Sequence, residues 1–206
     1  MTPESYLLFV AGSVLLVVSP GPDMAYLLAR CLAQGRRAGM VAALGFNAGG
    51  YVHLAAALLG LSAMLAASPR AFTAVKWAGA AYLVYLGVRA LLSSRPDLLP
   101  EDGGAPRKLR TVFRQAFLSD LLNPKVGVFF LAFLPQFVHP HPPGRTAQLA
   151  LLGVTVNMIA LAVNLPLALV ASRVSERLRR SPRAAHHLTR LMGAVFIAVG
   201  VQVALG

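Results

Sequence analysis

Five stretches of this chain carry no Asp, Glu, Lys or Arg: residues 5–22, 38–69, 126–144, 146–172 and 191–206. An apolar run of about 18 or more residues reads as a transmembrane helix, because about 20 residues at 1.5 Å rise cross the hydrocarbon core. A sixth segment, residues 71–92, holds only Lys76 and Arg89. Six spans are therefore predicted, at roughly 5–29, 40–65, 71–92, 114–138, 146–172 and 188–205. A cleaved signal peptide needs a positive leading region, and Glu4 is the only charge ahead of the first run, so that span is expected to stay.

Composition agrees with this reading. Hydrophobic residues make up 57% of the chain and charged residues 13%, against about 25% charged in an ordinary globular domain. That argues against a disordered chain, a disulfide scaffold or a soluble enzyme. The balance is nevertheless basic, 19 Lys plus Arg against 7 Asp plus Glu, which would ordinarily point to nucleic acid. Placing the charges gives another answer. Arg30, Arg36 and Arg37 follow the first span; Arg89, Arg95, Arg107, Lys108, Arg110 and Arg114 lie around the junction of the third and fourth; Arg173, Arg177, Arg179, Arg180, Arg183 and Arg190 lie between the last two. Loading of alternate loops is the positive-inside pattern, and it predicts both termini on the outer side. The implied partner is a bilayer with an anionic inner leaflet, not nucleic acid.

The segment 93–108, SSRPDLLPEDGGAPRK, is the one stretch rich in Pro, Gly and charge and reads as a solvated linker. With the linker taken as 93–112, it divides one transmembrane domain into halves 1–92 and 113–206 of three spans each. Three is odd, so duplicated halves would be inverted repeats. A shift of 104 positions places Ser19-Pro20 on Asn123-Pro124 and Gly49 on Gly153.

Those dipeptides matter because of where they fall. Span one contains Ser19-Pro20-Gly21-Pro22-Asp23 and span four contains Asn123-Pro124-Lys125. Proline removes a helix hydrogen bond and clashes with the preceding turn. Ser and Asn are favoured N-caps and Pro the favoured first helical residue. Each dipeptide therefore reads as a new helix starting inside the membrane, with its positive end toward a shared centre. Paired interruptions of this kind are the best sequence pointer to a transport site. A simple kink would need no charge, yet Asp23, Asp120 and Lys125 stand in or beside the breaks, and a charge at bilayer depth costs about 2.5–3.5 kcal/mol even on the gentler scale. Asp120 is balanced between this role and plain solvation at the cytoplasmic end.

Other polar residues extend the candidate pathway. Asn47 lies within Gly45-Phe46-Asn47-Ala48-Gly49, and Asn157 and Asn164 lie in span five; buried amides should face other helices. Asn164, beside Pro166, reads better as helix–helix glue. His53 reads as a packing histidine and Gly45 and Gly49 as a close helix approach. Tyr26, Trp77, Tyr82 and Tyr85 read as interface or packing aromatics. Cys31 is the only cysteine, which leaves no internal disulfide. The pairs His139/His141 and His186/His187 read as solvated loop residues, so neither metal nor cofactor is expected. No HExxH pair, GxGD aspartate or Ser–His dyad is recognisable, so no enzyme is expected. A channel or scaffold subunit would explain six spans but not paired breaks carrying internal charge.

The sequence resembles the LysE/RhtB family of amino-acid exporters (lysine, threonine and homoserine exporters). The resemblance rests on Ser-Pro-Gly-Pro-Asp at 19–23, on Gly35-Arg36, Gly39, Gly45 and Gly49, and on Asn123-Pro124-Lys125 with Phe129-Phe130 and Phe133-Leu134-Pro135-Gln136-Phe137-Val138. It implies secondary export of amino acids or close relatives across a bacterial cytoplasmic membrane, driven by protons. A homo-oligomer is compatible with it. The expected pathway comprises Ser19, Pro20, Gly21, Pro22, Asp23, Asn47, Asn123, Pro124, Lys125 and Asn157. In it the positive helix ends and Lys125 hold the substrate carboxylate. Asp23 accepts the ammonium and carries the proton, and Asn47 and Asn157 add neutral hydrogen bonds.

Overall fold

The computed structural model describes residues 2–19, 21–67, 69–92, 107–138, 144–180 and 182–205. Pro20, residues 93–106 of the linker, and His139 and His141 lie outside them. The described residues are helical, with no strand among them. In chain order they form α1 (Pro3–Val18), α2 (Pro22–Gln34), α3 (Arg36–Ala67), α4 (Pro69–Leu92), α5 (Leu109–Leu121), α6 (Pro124–Val128), α7 (Arg145–Arg180) and α8 (Pro182–Leu205).

The caps follow from the sequence. Thr2 Oγ1 accepts the N–H of Ser5 at 3.2 Å ahead of Pro3, the first residue of α1. Asn123 Oδ1 likewise accepts the N–H of Lys125 at 3.1 Å ahead of Pro124. Such caps satisfy donors that have no partner inside the helix. The chain bends by 53° between α1 and α2 and by 49° between α5 and α6. Both proline dipeptides thus stand at breaks, but only Asn123-Pro124 opens a helix as expected. Ser19 is the C-cap of α1, its hydroxyl donating back to the Leu16 carbonyl, and α2 starts at Pro22 behind Gly21 with no side-chain cap.

Three differences from the sequence reading have local causes. First, α7 runs on to Arg180 instead of ending near 172, because the segment of Arg, Glu and Leu that follows consists of good helix formers. The basic residues read as a loop there continue the helix. Second, α8 begins at Pro182, the favoured first position, so His186 and His187 are helical residues and not loop ones. Third, span four does not continue as α-helix past Val128: a π-helical turn (Phe129–Phe133) and a 3-10 turn (Leu134–Phe137) follow. Pro135 cannot donate in a regular ladder, and Gln136 Nε2 reaches back to the Ala132 carbonyl at 2.9 Å.

Two apolar cores flank the breaks. One is built on Phe129, Phe133 and Phe137, whose successive ring centroids lie 4.7 and 4.8 Å apart; Phe9 meets Phe137 edge-on at 5.5 Å, and Leu54, Leu83, Leu149 and Leu152 close around them. The other joins Leu27, Leu28 and Cys31 of α2 to Ala42 and Phe46 of α3, Val112 and Ala116 of α5 and Ala168 of α7. Large apolar side chains including Leu7, Leu59, Leu151 and Leu205 remain exposed on the outside, which suits a lipid solvent. Within α3 and α7, Arg36–Gly60 and Arg145–Ala171 are long and apolar enough to cross a bilayer; the bent pairs α1–α2 and α5–α6 bring the number to four if each is one span. Trp77–Leu92 and Thr189–Leu205 are shorter apolar helices. The architecture is all-helical and consistent with a polytopic membrane protein.

Candidate functional site

A proline interrupting a helix leaves the carbonyl four residues earlier without its usual donor. For Pro20 that carbonyl belongs to Leu16, and for Pro124 to Asp120. Both receive substitutes. Leu16 O accepts from Ser19 Oγ at 2.7 Å and from Lys125 Nζ at 3.2 Å. Asp120 O accepts from the N–H of Asn123 at 3.0 Å and faces His53 Nε2 at 3.0 Å. His53 is held in place by stacking on Phe130, with centroids 6.1 Å apart. It is therefore more than a packing residue: it helps close the second break.

The two breaks also bind each other. Lys125, buried beside the second, donates to Ser19 Oγ at 3.0 Å and to the Ser19 carbonyl at 3.4 Å in the first. Asp23, beside the first, accepts from Asn123 Nδ2 at 2.6 Å and from Ser119 Oγ at 2.7 Å in the second. Charge-assisted hydrogen bonds of this length are the strong ones. Asn123 uses both ends of its amide, capping α6 with Oδ1 while donating to Asp23 with Nδ2. Among the described residues Lys125 makes no ion pair with Asp23 within 4.0 Å. Each charge is instead neutralised by dipoles of the opposite break.

A cavity opens beside this lock. Asp23, Asp120, Lys125, Asn157 and Asn164 line it together with Phe46 and Phe130, and it offers about 50 Å³ to water centres. That is room for a few ordered waters. A second cavity of about 240 Å³ lies against Gly21, Pro22, Asn123, Pro124 and Lys125, with Tyr82 and Arg89 of α4. Lys125 borders both.

The structure thus brings together Ser19, Gly21, Pro22, Asp23, Asn123, Pro124, Lys125 and Asn157; Pro20 lies outside the described residues. Asn47 stands apart from both cavity linings and donates to the Asn157 carbonyl at 2.8 Å, tying α3 to α7. Asn164, read as glue, lines the first cavity. Asp120 is buried, only 7% exposed, which decides its balance against solvation. The reason is α3. A side chain at Gly45 would collide with the Phe113 carbonyl at 2.6 Å, and one at Gly49 with Asp120 Oδ2 at 2.5 Å. The glycine pair lets α5 lie against α3 and carries Asp120 inside. Ser119 was missed. Its signal is a hydroxyl beside Asp120 in the last turn of α5, just ahead of the Asn123-Pro124 break.

Comparison with known proteins supports a transport role. The family model of LysE type translocators matches residues 14–206. A homoserine/homoserine lactone efflux protein of Salmonella typhimurium is 30% identical over 204 residues, covering 99% of this chain and 98% of that protein. Uncharacterized membrane proteins of Pseudomonas aeruginosa and Vibrio cholerae are 34% and 31% identical over 200 and 202 residues, covering 95% and 97% of this chain and 93% and 96% of theirs. No solved structure matches. With the breaks of its first and fourth apolar segments interlocked beside a cavity that holds charged and amide side chains, and a family match across nearly its whole length, the chain belongs to the LysE-type translocator family, a membrane transporter and not an enzyme.

Proposed function

We propose that this protein exports small amino acids or their close derivatives, of the homoserine and homoserine lactone kind carried by its Salmonella relative, in exchange for protons. The observation that carries this reading is the interlock of two helix breaks by Asp23–Asn123 and Lys125–Ser19 beside a largely apolar cavity into which charged and amide groups converge. An amino acid presents a carboxylate and an ammonium a few ångströms apart, and this region offers one buried cation, two carboxyl groups and two amides to receive them.

The site comprises Ser19, Pro20, Gly21, Pro22, Asp23, Asn47, Asn123, Pro124, Lys125 and Asn157. Lys125 and the positive ends of the broken helices receive the carboxylate. Asp23 faces the ammonium and takes part in proton exchange, Asn157 adds hydrogen bonds, and Asn47 sets the depth of Asn157. The chain crosses the cytoplasmic membrane six times as two inverted halves, 1–92 and 113–206, with both termini on the outer side. Packing between the halves is consistent with that repeat. α4 and α8 are the third spans of the two halves, and they meet at Gly87 and Gly193. A Cβ on either would strike the other's carbonyl oxygen, at 2.5 and 2.7 Å. This close approach lets the third spans of the two halves cross directly, which an inverted repeat of three-span halves can use. Rocking of one half against the other about this crossing would give alternating access.

The test is efflux of labelled homoserine from preloaded cells, comparing wild type with Asp23→Asn and Lys125→Met at equal expression. Both variants are expected to lose at least 90% of the export rate. Export at the wild-type rate in both would dismiss the assignment. Flux that follows the homoserine gradient alone, indifferent to collapse of the proton gradient, would mean a channel.

A further inference from the structure

Asp120 is the one buried side chain at this site left incomplete. Both oxygens of Asp23 have donors, from Ser119 and Asn123, and the Lys125 ammonium has three acceptors, Leu16 O, Ser19 O and Ser19 Oγ. Asp120 is 7% exposed and lines the cavity, yet its Oδ2 has no hydrogen-bond partner among the described residues. Oδ2 rests over the bare Cα of Gly49, where no donor exists. A buried polar group without a partner costs about 1–3 kcal/mol, more when charged, and a fixed structural carboxylate would not be left so. Two species in the transport cycle can complete it: a proton, or the ammonium of a substrate in the cavity.

Its surroundings allow either. The titratable groups that face it are Asp23 from α2, His53 from α3 and Lys125 from α6. α7 contributes only the neutral amides of Asn157 and Asn164 to the cavity. Asp23 opposes a second negative charge and Lys125 favours one, while His53 is engaged with the backbone carbonyl of Asp120 and not with its carboxyl. A carboxyl group between one like and one opposite charge, without a fixed donor, is poised to exchange one cation for another.

We propose that the Asp120 carboxyl is the site at which the substrate ammonium and the proton compete, and that this mutual exclusion produces the exchange. It rests on the proton-coupled export proposed above and assigns its coupling step. When the cavity takes an ammonium from the cytoplasm, Asp120 releases its proton to the cytoplasm and the carboxylate pairs with the ammonium. When the amine leaves on the outer side, a proton from that side replaces it. Charge is conserved at the carboxyl in both halves of the cycle. Asp23, already held by two donors, keeps the breaks locked and stays available to the same ammonium as a neighbour. The substrate class is a compound with a free primary amine; an N-acylated analogue lacks the cation and is excluded.

Purified full-length protein in liposomes tests this, with labelled homoserine as the probe and uptake or exchange measured over a series of pH values. In wild type, KM is expected to rise about tenfold per pH unit on the acid side of the titration with Vmax unchanged, as competition requires. N-acetylhomoserine should neither be carried nor inhibit. In Asp120→Asn, which keeps the shape of the carboxyl, KM should be at least tenfold higher and independent of pH. An imposed pH gradient should then no longer drive accumulation. The inference is overturned if protons lower Vmax and leave KM alone in wild type, a measurement that needs no variant. It is also overturned if Asp120→Asn keeps the wild-type pH dependence, or loses Vmax at unchanged KM as a merely structural residue would. A wild type that carries homoserine without response to a pH gradient would overturn proton exchange itself, so the two failures are distinguishable.

Discussion

Asn123 ties the two breaks together through both ends of one amide. Its Oδ1 caps α6 through Lys125 N and its Nδ2 holds Asp23 Oδ2, so one amide orients both the buried Lys125 and the carboxylate across from it. Removing it exposes two separate costs: loss of a cap, about 1 kcal/mol, and a carboxylate oxygen left without its donor, about 1–3 kcal/mol when buried. Asp23 is only partly buried, so the second is discounted. Asn123→Ala is expected to lower unfolding stability by about 1–3 kcal/mol in detergent and to reduce homoserine efflux. Asn123→Asp keeps the cap acceptor but sets a second carboxylate against Asp23, so its efflux should fall below that of Asn123→Ala. Thermal unfolding of the three proteins, with efflux at matched expression, checks this. Unchanged stability in Asn123→Ala would show that the amide carries no weight in the lock.

The breaks themselves were legible at the level of the element, because proline has positional chemistry that no neighbour can alter: it never donates. Asn123-Pro124 reads directly as cap and first helical residue, whereas Ser19 marks its break correctly but closes α1 instead of opening α2, which starts at Pro22 behind Gly21. Asp23 and Lys125 read as charges beside the breaks. What the breaks bind to was not legible. Whether Asp120 is solvated depends on how far α5 sinks against α3, and that is decided by two glycines some 70 positions away. The π-helical turn at Phe129–Phe133 was equally hidden, since it follows from how Pro135 and Gln136 close the end of the segment. The helical end of α7 is hidden for the opposite reason: its charge density reads as loop, while helix propensity carries the helix on to Arg180. A variant separates the break from its residues. Pro124→Ala supplies an N–H able to reach Asp120 O, competing there with His53 Nε2 and the Asn123 N–H. The α5–α6 bend should relax, with an unfolding temperature equal to or above that of wild type and efflux lowered at least tenfold. Loss of function without loss of stability is the signature of a break kept for transport. Efflux within twofold of wild type would show that the bend is dispensable.

At the scale of the whole molecule, the two apolar cores lie on either side of the polar lock, and both draw on α3 and α7. The cores thus share two helices, and the proposed movement of one half against the other would act on Lys125, which borders both cavities. The direction of such movement relative to the cell depends on orientation, and the charge pattern makes that testable. Fifteen of the nineteen basic residues fall in three segments that an even number of crossings places on one side, and the segments joining the second span to the third and the fourth to the fifth hold only Arg70, Lys76 and Arg145. Retention of Lys and Arg on the cytoplasmic side, where the leaflet is anionic, predicts those three segments inside. Cys31 is buried and is the only thiol, so a Cys31→Ser background should be silent to a membrane-impermeant maleimide. On intact spheroplasts, Thr2→Cys and Leu205→Cys in that background should be labelled, while Arg107→Cys and Arg173→Cys should react only after permeabilisation. The reverse pattern would place the basic segments outside and reverse the direction of export. Labelling of Thr2→Cys but not Leu205→Cys would make the number of crossings odd, and the inverted halves would then have to be abandoned, because two three-span halves cannot leave the termini on opposite sides.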